Sequence, residues 1–192
     1  MTTVLWFKRD LRTADHAALA RAGERGPVIP LYIFEPEMWA QPDMSGRQFD
    51  FVRECVESLR ADLARLGATL VVRVGEAVDV LSALRTEARF DRIVSHEETG
   101  NDWTFARDRA VAGWCGAEGV AWEELAPAGV VRRLNGRDGW AKLRNAYLRQ
   151  SQIDAPALVA GPVLPSDDVP RLVAEDPCPE RQRGGRDMAL SL

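Results

Sequence analysis

The chain has 192 residues, 46% of them hydrophobic, which supports one ordinary core or a core plus an appendage. Its net charge of −4 excludes a global attraction for nucleic acid, so any such contact requires a local patch or a further segment. No apolar run approaches the ~20 residues that span a bilayer, and because Met1-Thr2-Thr3 leads directly into a strand and then charge, no signal peptide is expected. Three cysteines, Cys55, Cys115 and Cys178, lie far apart and outside metal-ligand spacing. That pattern fits a reduced compartment, and the expected location is cytoplasmic.

Strand-like runs and helical patterns alternate along the first two thirds of the chain. Residues 4–7 form a short apolar strand, and a helix follows from about Asp15 to Gly23. The run 27–34 is almost wholly apolar and β-prone, as expected of a strand covered on both faces. A long helix spans about 46–66, with Phe49, Val52, Val56, Leu59, Leu63 and Leu66 stepping by three and four along one buried face. Ser45 with Gln48 makes a capping box at its start, and Gly67 makes a left-handed stop. A third strand (68–74) precedes a helix carrying Ala77, Val80, Leu81 and Leu84. A fourth strand (92–95) ends in His96-Glu97-Glu98. Asp102 then caps a helix through Trp103, Ala106, Ala110, Val111 and Trp114 to Gly119, before a weaker fifth strand at 120–125. The implied fold is α/β: a five-stranded parallel, doubly wound, Rossmann-like sheet with helices on both faces.

The pattern changes after Pro127. Residues 127–150 read as a basic helical extension with a helix around 139–149. Residues 151–185 read as a Pro-rich linker with Pro156, Pro162, Pro165, Pro170, Pro177 and Pro179, an extended tether without a folded element. Residues 186–192 begin a helix too short to hold by itself.

The turn after the first strand is where an α/β nucleotide-binding protein places glycines against a pyrophosphate. Lys8, Arg9, Asp10 and Arg12 fill that place here, and no glycine precedes Gly23. The string Trp6-Phe7-Lys8-Arg9-Asp10-Leu11-Arg12, followed by Asp15-His16, resembles the N-terminus of the DNA photolyase/cryptochrome family. Phe34-Glu35-Pro36-Glu37, Ser45-Gly46-Arg47 and Arg107-Asp108 fit the same family. The resemblance covers about residues 3–126 well, which sets a family-type α/β domain at 1–126, and continues loosely to Arg181-Gln182-Arg183-Gly184-Gly185. It implies an antenna-chromophore domain, with FAD, the electron-transfer tryptophans and the pocket for damaged DNA in a helical domain that would begin near residue 186. DNA would then be met only through a full-length protein, and this segment alone would not act as a deoxyribodipyrimidine photo-lyase. The rival expectations are a stand-alone interaction module and a nucleotide-binding domain of the universal stress type.

Four clusters are candidates. Arg9, Asp10 and Arg12 form either one wall of a chromophore or domain-interface site, or an ion-pair network that orders the first loop; His16 departs from the family's usual asparagine. Phe34, Glu35, Met38, Met44 and Arg47 lie where open α/β sheets bind ligands. They could hold a flat heterocycle, with Arg47 meeting an anionic tail, or pack an ordinary loop. Glu97 and Glu98 beside His96 could accept hydrogen bonds from a pterin or flavin ring. A metal is not expected, because His16 and His96 are the only histidines and lie far apart in sequence. Trp103-Thr104 stands where the folate-binding branch has Asn-Glu, which favours a flavin, lumazine or deazaflavin antenna over folate. The basic stretch Arg132, Arg133, Arg137, Lys142, Arg144 and Arg149 could touch phosphate, or form a solvated or docking face. The six tryptophans, Trp6, Trp39, Trp103, Trp114, Trp122 and Trp140, are expected mainly as packing groups, not as an electron relay.

Overall fold

In a computed structural model, five short strands align in parallel in the order β3-β2-β1-β4-β5. They are β1 (Thr3–Phe7), β2 (Val28–Phe34), β3 (Val71–Val74), β4 (Arg92–His96) and β5 (Ala121–Leu125). The helices are α1 (Ala17–Gly23), α2 (Pro36–Trp39), α3 (Gly46–Arg65), α4 (Ala77–Ala88), α5 (Asp102–Glu118), α6 (Trp140–Leu148) and α7 (Arg186–Leu190). The structure describes residues 2–127, 129–132, 134, 136, 138–171 and 178–191. Arg133, Arg137, Pro177 and Leu192, named above, lie outside the described residues.

Alternation along β1 divides the core in two. Leu5 and Phe7 face α1 and α3, whereas Val4 and Trp6 face the layer of α4 and α5. β1, β2 and β4 are buried along their whole length, which explains their unbroken apolar character. The long helix closes as its sequence dictates: the Ser45 hydroxyl accepts the Gln48 N–H, and Gly67 takes φ 81° just past the end. Phe49, Val56, Leu59 and Leu63 are buried on its inner face, each worth ~1.5–3 kcal/mol of transfer free energy. Val52 is only half-buried. α5 differs from expectation at its start. Asn101, not Asp102, is the cap: its Oδ1 accepts the Thr104 N–H at 3.1 Å, while its Nδ2 donates to both Asp43 oxygens at 3.1 and 3.0 Å. An amide can do both, whereas a carboxylate only accepts.

Among its described residues, the Pro-rich segment up to residue 171 holds no helix or strand, yet it does not behave as a free tether. Val159 is 4% exposed in the core beside α3, and its N–H donates to the Leu66 carbonyl. The Val28 N–H donates to the Ala160 carbonyl, and a Cβ at Gly161 would collide with the Val28 carbonyl oxygen. Further on, the Asp167 N–H reaches the Val72 carbonyl at 2.9 Å, and the Ser166 hydroxyl accepts the Val72 N–H at 3.0 Å. The strap thus satisfies polar groups along β3, the exposed margin of the sheet. Prolines suit such a path because they cannot continue a helix and need no donor partner.

The loop after β1 is fixed by Asp10, which is 6% exposed. Its Oδ1 accepts the Lys8 N–H at 3.0 Å, and its Oδ2 lies 2.5 Å from His96 Nδ1 and 2.6 Å from His16 Nε2. The other nitrogen of each ring accepts a backbone N–H from the first turn of α1: Leu19 to His16 Nδ1 at 2.8 Å, and Ala18 to His96 Nε2 at 3.3 Å. A nitrogen that accepts has no proton, so each ring carries its proton on the side facing Asp10. Burial would raise the Asp10 carboxyl, but the two imidazoles hold it well below the usual carboxylate range. Burial lowers His16 below its ordinary 6.5 against the pull of Asp10.

Two outcomes follow from this packing. Val159→Ala should destabilise the chain by about 1–3 kcal/mol in urea denaturation, since the strap fills the core instead of passing over it. His16 is neutral when folded, so its stabilisation is complete above about pH 6.5 and falls as pH drops below that value. Asp10 acts in the same sense at lower pH. His16→Asn keeps a cap acceptor for Leu19 and should flatten the loss of stability between pH 7.5 and 5.5.

Candidate functional site

The carboxyl ends of β1 and β2, the short helix α2 and the first half of α3 surround a cavity of about 610 Å³. Its size suits a small organic ligand. It lies outside the carboxyl end of the sheet, beside β1, where the strand order reverses. Trp6, Phe7, Tyr32 and Ile33 contribute its base; Met38, Trp39, Met44, Phe51 and Val52 contribute an apolar flank. Arg9, Arg12, Arg47 and Arg181 bring cations to the same wall.

Behind this lining lies a buried charge network centred on Arg107 of α5. Its Nη1 donates to Glu35 Oε2 at 2.7 Å, and its Nη2 lies 2.9 Å from Asp108 Oδ1 and 3.5 Å from Glu98 Oε2. Lys8 Nζ reaches Asp108 Oδ2 at 3.0 Å, and Arg9 Nε donates to Glu98 Oε1 at 2.8 Å. The Lys8 ammonium is 4.7 Å and the Arg107 guanidinium 4.9 Å from the Trp6 ring. Burial pushes the Glu35 carboxyl up to about 7, although Arg107 pulls it down.

Hydrogen-bonding capacity is left unmet along this wall. Glu35 Oε1 and Trp39 Nε1 are buried and have no hydrogen-bond partner, and Arg107 Nη2 meets Asp108 without hydrogen-bond geometry. All three residues line the cavity. Unpaired buried polar atoms are uncommon in folded proteins. Here an acceptor and two donors coincide with an apolar recess at the sheet's carboxyl end.

Of the residues anticipated from sequence, Glu35, Met38, Met44, Arg47 and Glu98 line this cavity, together with Arg9 and Arg12. Phe34 does not: its ring packs on Tyr32 at 4.8 Å and Phe49 at 5.5 Å within the core. Glu97 also lies elsewhere, 3.3 Å from Arg132 Nε, because its neighbour Glu98 takes the inward direction. Asp10 serves the loop and does not line the cavity. Sequence reasoning missed Trp39, Arg107, Phe51, Cys55, Arg181 and Gln182 as lining residues. A charged residue inside the buried stripe of α5 was the available signal for Arg107.

One cluster has the composition of a metal site. Asp10, His16 and His96 converge although the histidines are 80 positions apart, since β1 and β4 are neighbours; their ring centroids are 4.4 Å apart. Distance in sequence was therefore no reason to exclude a cluster. Its chemistry does not favour a metal. Each histidine uses its outer nitrogen to accept a backbone N–H, so the inner nitrogen is protonated and has no lone pair for an ion. The same imidazoles occupy N–H groups that a phosphate would need at the start of α1, which disfavours a nucleotide site there.

Comparisons with known proteins agree with this architecture. The family model described as DNA photolyase matches residues 3–132. The blue-light photoreceptor PHR2 of Arabidopsis thaliana is 35% identical over 105 residues, covering 52% of this chain and 24% of that protein. A deoxyribodipyrimidine photo-lyase of Agrobacterium fabrum is 37% identical over 92 residues, covering 47% of this chain and 19% of that protein. The chain thus spans about a quarter or less of the length of these relatives. Among solved structures, a bacterial class III photolyase from Agrobacterium tumefaciens superposes with a TM-score of 0.74 at 25% identity, covering 87% of this chain and 36% of that one. With the glycine-free first loop, the sheet order and the family match over most of its length, the chain belongs to the DNA photolyase family.

Proposed function

We propose that this chain is the antenna-chromophore domain of a photolyase- or cryptochrome-type flavoprotein, and that the chromophore occupies the cavity at the ends of β1 and β2. The supporting observation is the coincidence of unpaired Glu35 Oε1 and Trp39 Nε1 with an aromatic, cation-rimmed recess of about 610 Å³. A planar heterocycle would cover the apolar base and meet these atoms at its edge. Flavins, lumazines and deazaflavins share an imide edge, acceptor–donor–acceptor. Trp39, Glu35 and Arg107 offer the complementary donor, acceptor and donor. A pterin presents an amino group in place of one carbonyl and matches less well, in keeping with Trp103-Thr104 at the start of α5. The cationic rim suits an anionic tail.

The work of such a site is physical: it absorbs near-ultraviolet or blue light and passes excitation to an FAD held by a helical domain. DNA would be engaged by the full-length protein, and repair would require the lesion to leave the base stack. No helix among the described residues is long and apolar enough to cross a membrane.

Fluorescence titration tests the proposal. Flavin mononucleotide should bind more tightly than a folate, and its affinity should rise between pH 6 and 8. Glu35 loses its proton across this range, with its carboxyl at about 7, and the carboxylate accepts the imide N–H more strongly. Glu35→Gln should weaken flavin binding about tenfold at pH 8 and remove the pH dependence. A chain that binds no flavin, lumazine, deazaflavin or folate would overturn the assignment.

A further inference from the structure

One wall of the cavity comes from a distant part of the sequence. Arg181 and Gln182 line it beside Phe51 and Cys55 of α3, although they lie near the end of the Pro-rich segment, more than 120 positions further along the chain. A single carboxylate holds that segment in place. Glu54 accepts Arg181 Nη1 at 3.1 Å and Nη2 at 2.7 Å, Arg183 Nη1 at 2.9 Å and the Gly184 N–H at 2.7 Å. The Gly185 N–H points to Cys55 Sγ at 3.3 Å, and the Arg186 N–H to the Ser58 hydroxyl at 3.3 Å. Glu54 itself does not line the cavity.

The contact has two independent components. The bidentate Arg181–Glu54 pair is charge-assisted, with side chains 15% and 13% exposed, so solvent screens it less than an ordinary surface pair. The second component is steric. A Cβ at Gly184 would overlap the Phe51 carbonyl oxygen and crowd the Cys55 N and Sγ, so only glycine lets the two backbones approach this closely. Both components hold the segment to one face of α3, and Arg181 takes part in the pair and in the cavity wall at once.

Resting on the assignment of the cavity as a chromophore site, we propose that Glu54 is a positioning residue for that site: it latches residues 181–185 onto α3 and so completes the cavity wall. Occupancy and latching are then reciprocally coupled, because a ligand against Arg181 and Gln182 stabilises the closed segment as much as the closed segment stabilises the ligand. Hydrogen bonds from Arg181 and from the Gly184 N–H hold the Glu54 carboxyl down at about 2. The latch is therefore insensitive to pH where Glu35 titrates, and the two effects can be separated.

The test uses the full chain, with Glu54→Gln removing the charge and Gly184→Ala removing the close approach. Amide exchange at residues 184–186 should be slow in the unsubstituted protein and slower still with saturating flavin mononucleotide. Either variant should release those amides, leave exchange in β1, β2 and the core of α3 unchanged, and weaken flavin binding about tenfold equally at pH 6 and pH 8. Fast exchange at 184–186 in the unsubstituted chain overturns the latch. Variants that release the segment yet bind flavin normally overturn its role in the site. If Glu54→Gln releases the segment and the unsubstituted chain binds no flavin, lumazine, deazaflavin or folate, the chromophore assignment fails. The positioning role falls with it, leaving a purely structural clasp.

Discussion

The position of Asp10 governs how this α/β domain differs from a nucleotide-binding one. Two parallel strands, β1 and β4, end side by side, and the first turn of α1 presents its N–H groups to the gap between them. In a phosphate-binding domain that gap takes an anion. Here the anion is already part of the chain, and two neutral imidazoles stand between it and the helix. A buried carboxylate without donors would be very unfavourable; here the Lys8 N–H and His96 Nδ1 bond to it and His16 Nε2 stands 2.6 Å away. The N–H groups at the start of α1 are thereby taken up by the chain itself, and a separate recess stands open over β1 and β2 at the sheet's carboxyl end.

That recess owes its character to residues from elements far apart in sequence. α5 supplies Arg107, the end of β2 supplies Glu35, and the loop after β4 supplies Glu98. Their agreement depends on fixed helix entries. Asn101 is decisive for α5, since one amide caps the helix and also ties it to Asp43 in the loop before α3. The strap adds the last wall after crossing the sheet margin at Val72 and filling a core position with Val159.

Much of this was legible in the sequence, for a physical reason. Unbroken apolar runs and period-3.6 patterns report burial directly, so the strands, the inner face of α3 and its Ser45 and Gly67 ends were readable. The motif at residues 6–12 identified the family because a charged, glycine-free turn after a first strand is unusual. Glu35, Met38, Met44, Arg47 and Glu98 were readable as residues gathered around one cavity, because they lie at strand ends and the loops that follow them. Phe34 misled: one position decides whether an aromatic at a strand end faces ligand or core, and Phe49 claims it for the core. The meeting of His16 with His96, the pairing of Arg107 with Glu35 and the return of Arg181 to α3 depend on tertiary neighbours, which no local pattern encodes.

The buried network also explains which of its groups is free to respond to a ligand. Arg107 faces three carboxylates, and Lys8 and Arg9 each occupy one of them. Asp108 is shared by Lys8 and Arg107, and Glu98 by Arg9 and Arg107, so each has two cations. Glu35 has Arg107 alone, is 2% exposed, and uses only one of its two oxygens. A buried acid with half its hydrogen-bonding capacity used is the one whose proton is most easily exchanged for a donor from outside. The neighbours behind the wall thus set the chemistry of the cavity, by satisfying every acid in the network except the one at its edge.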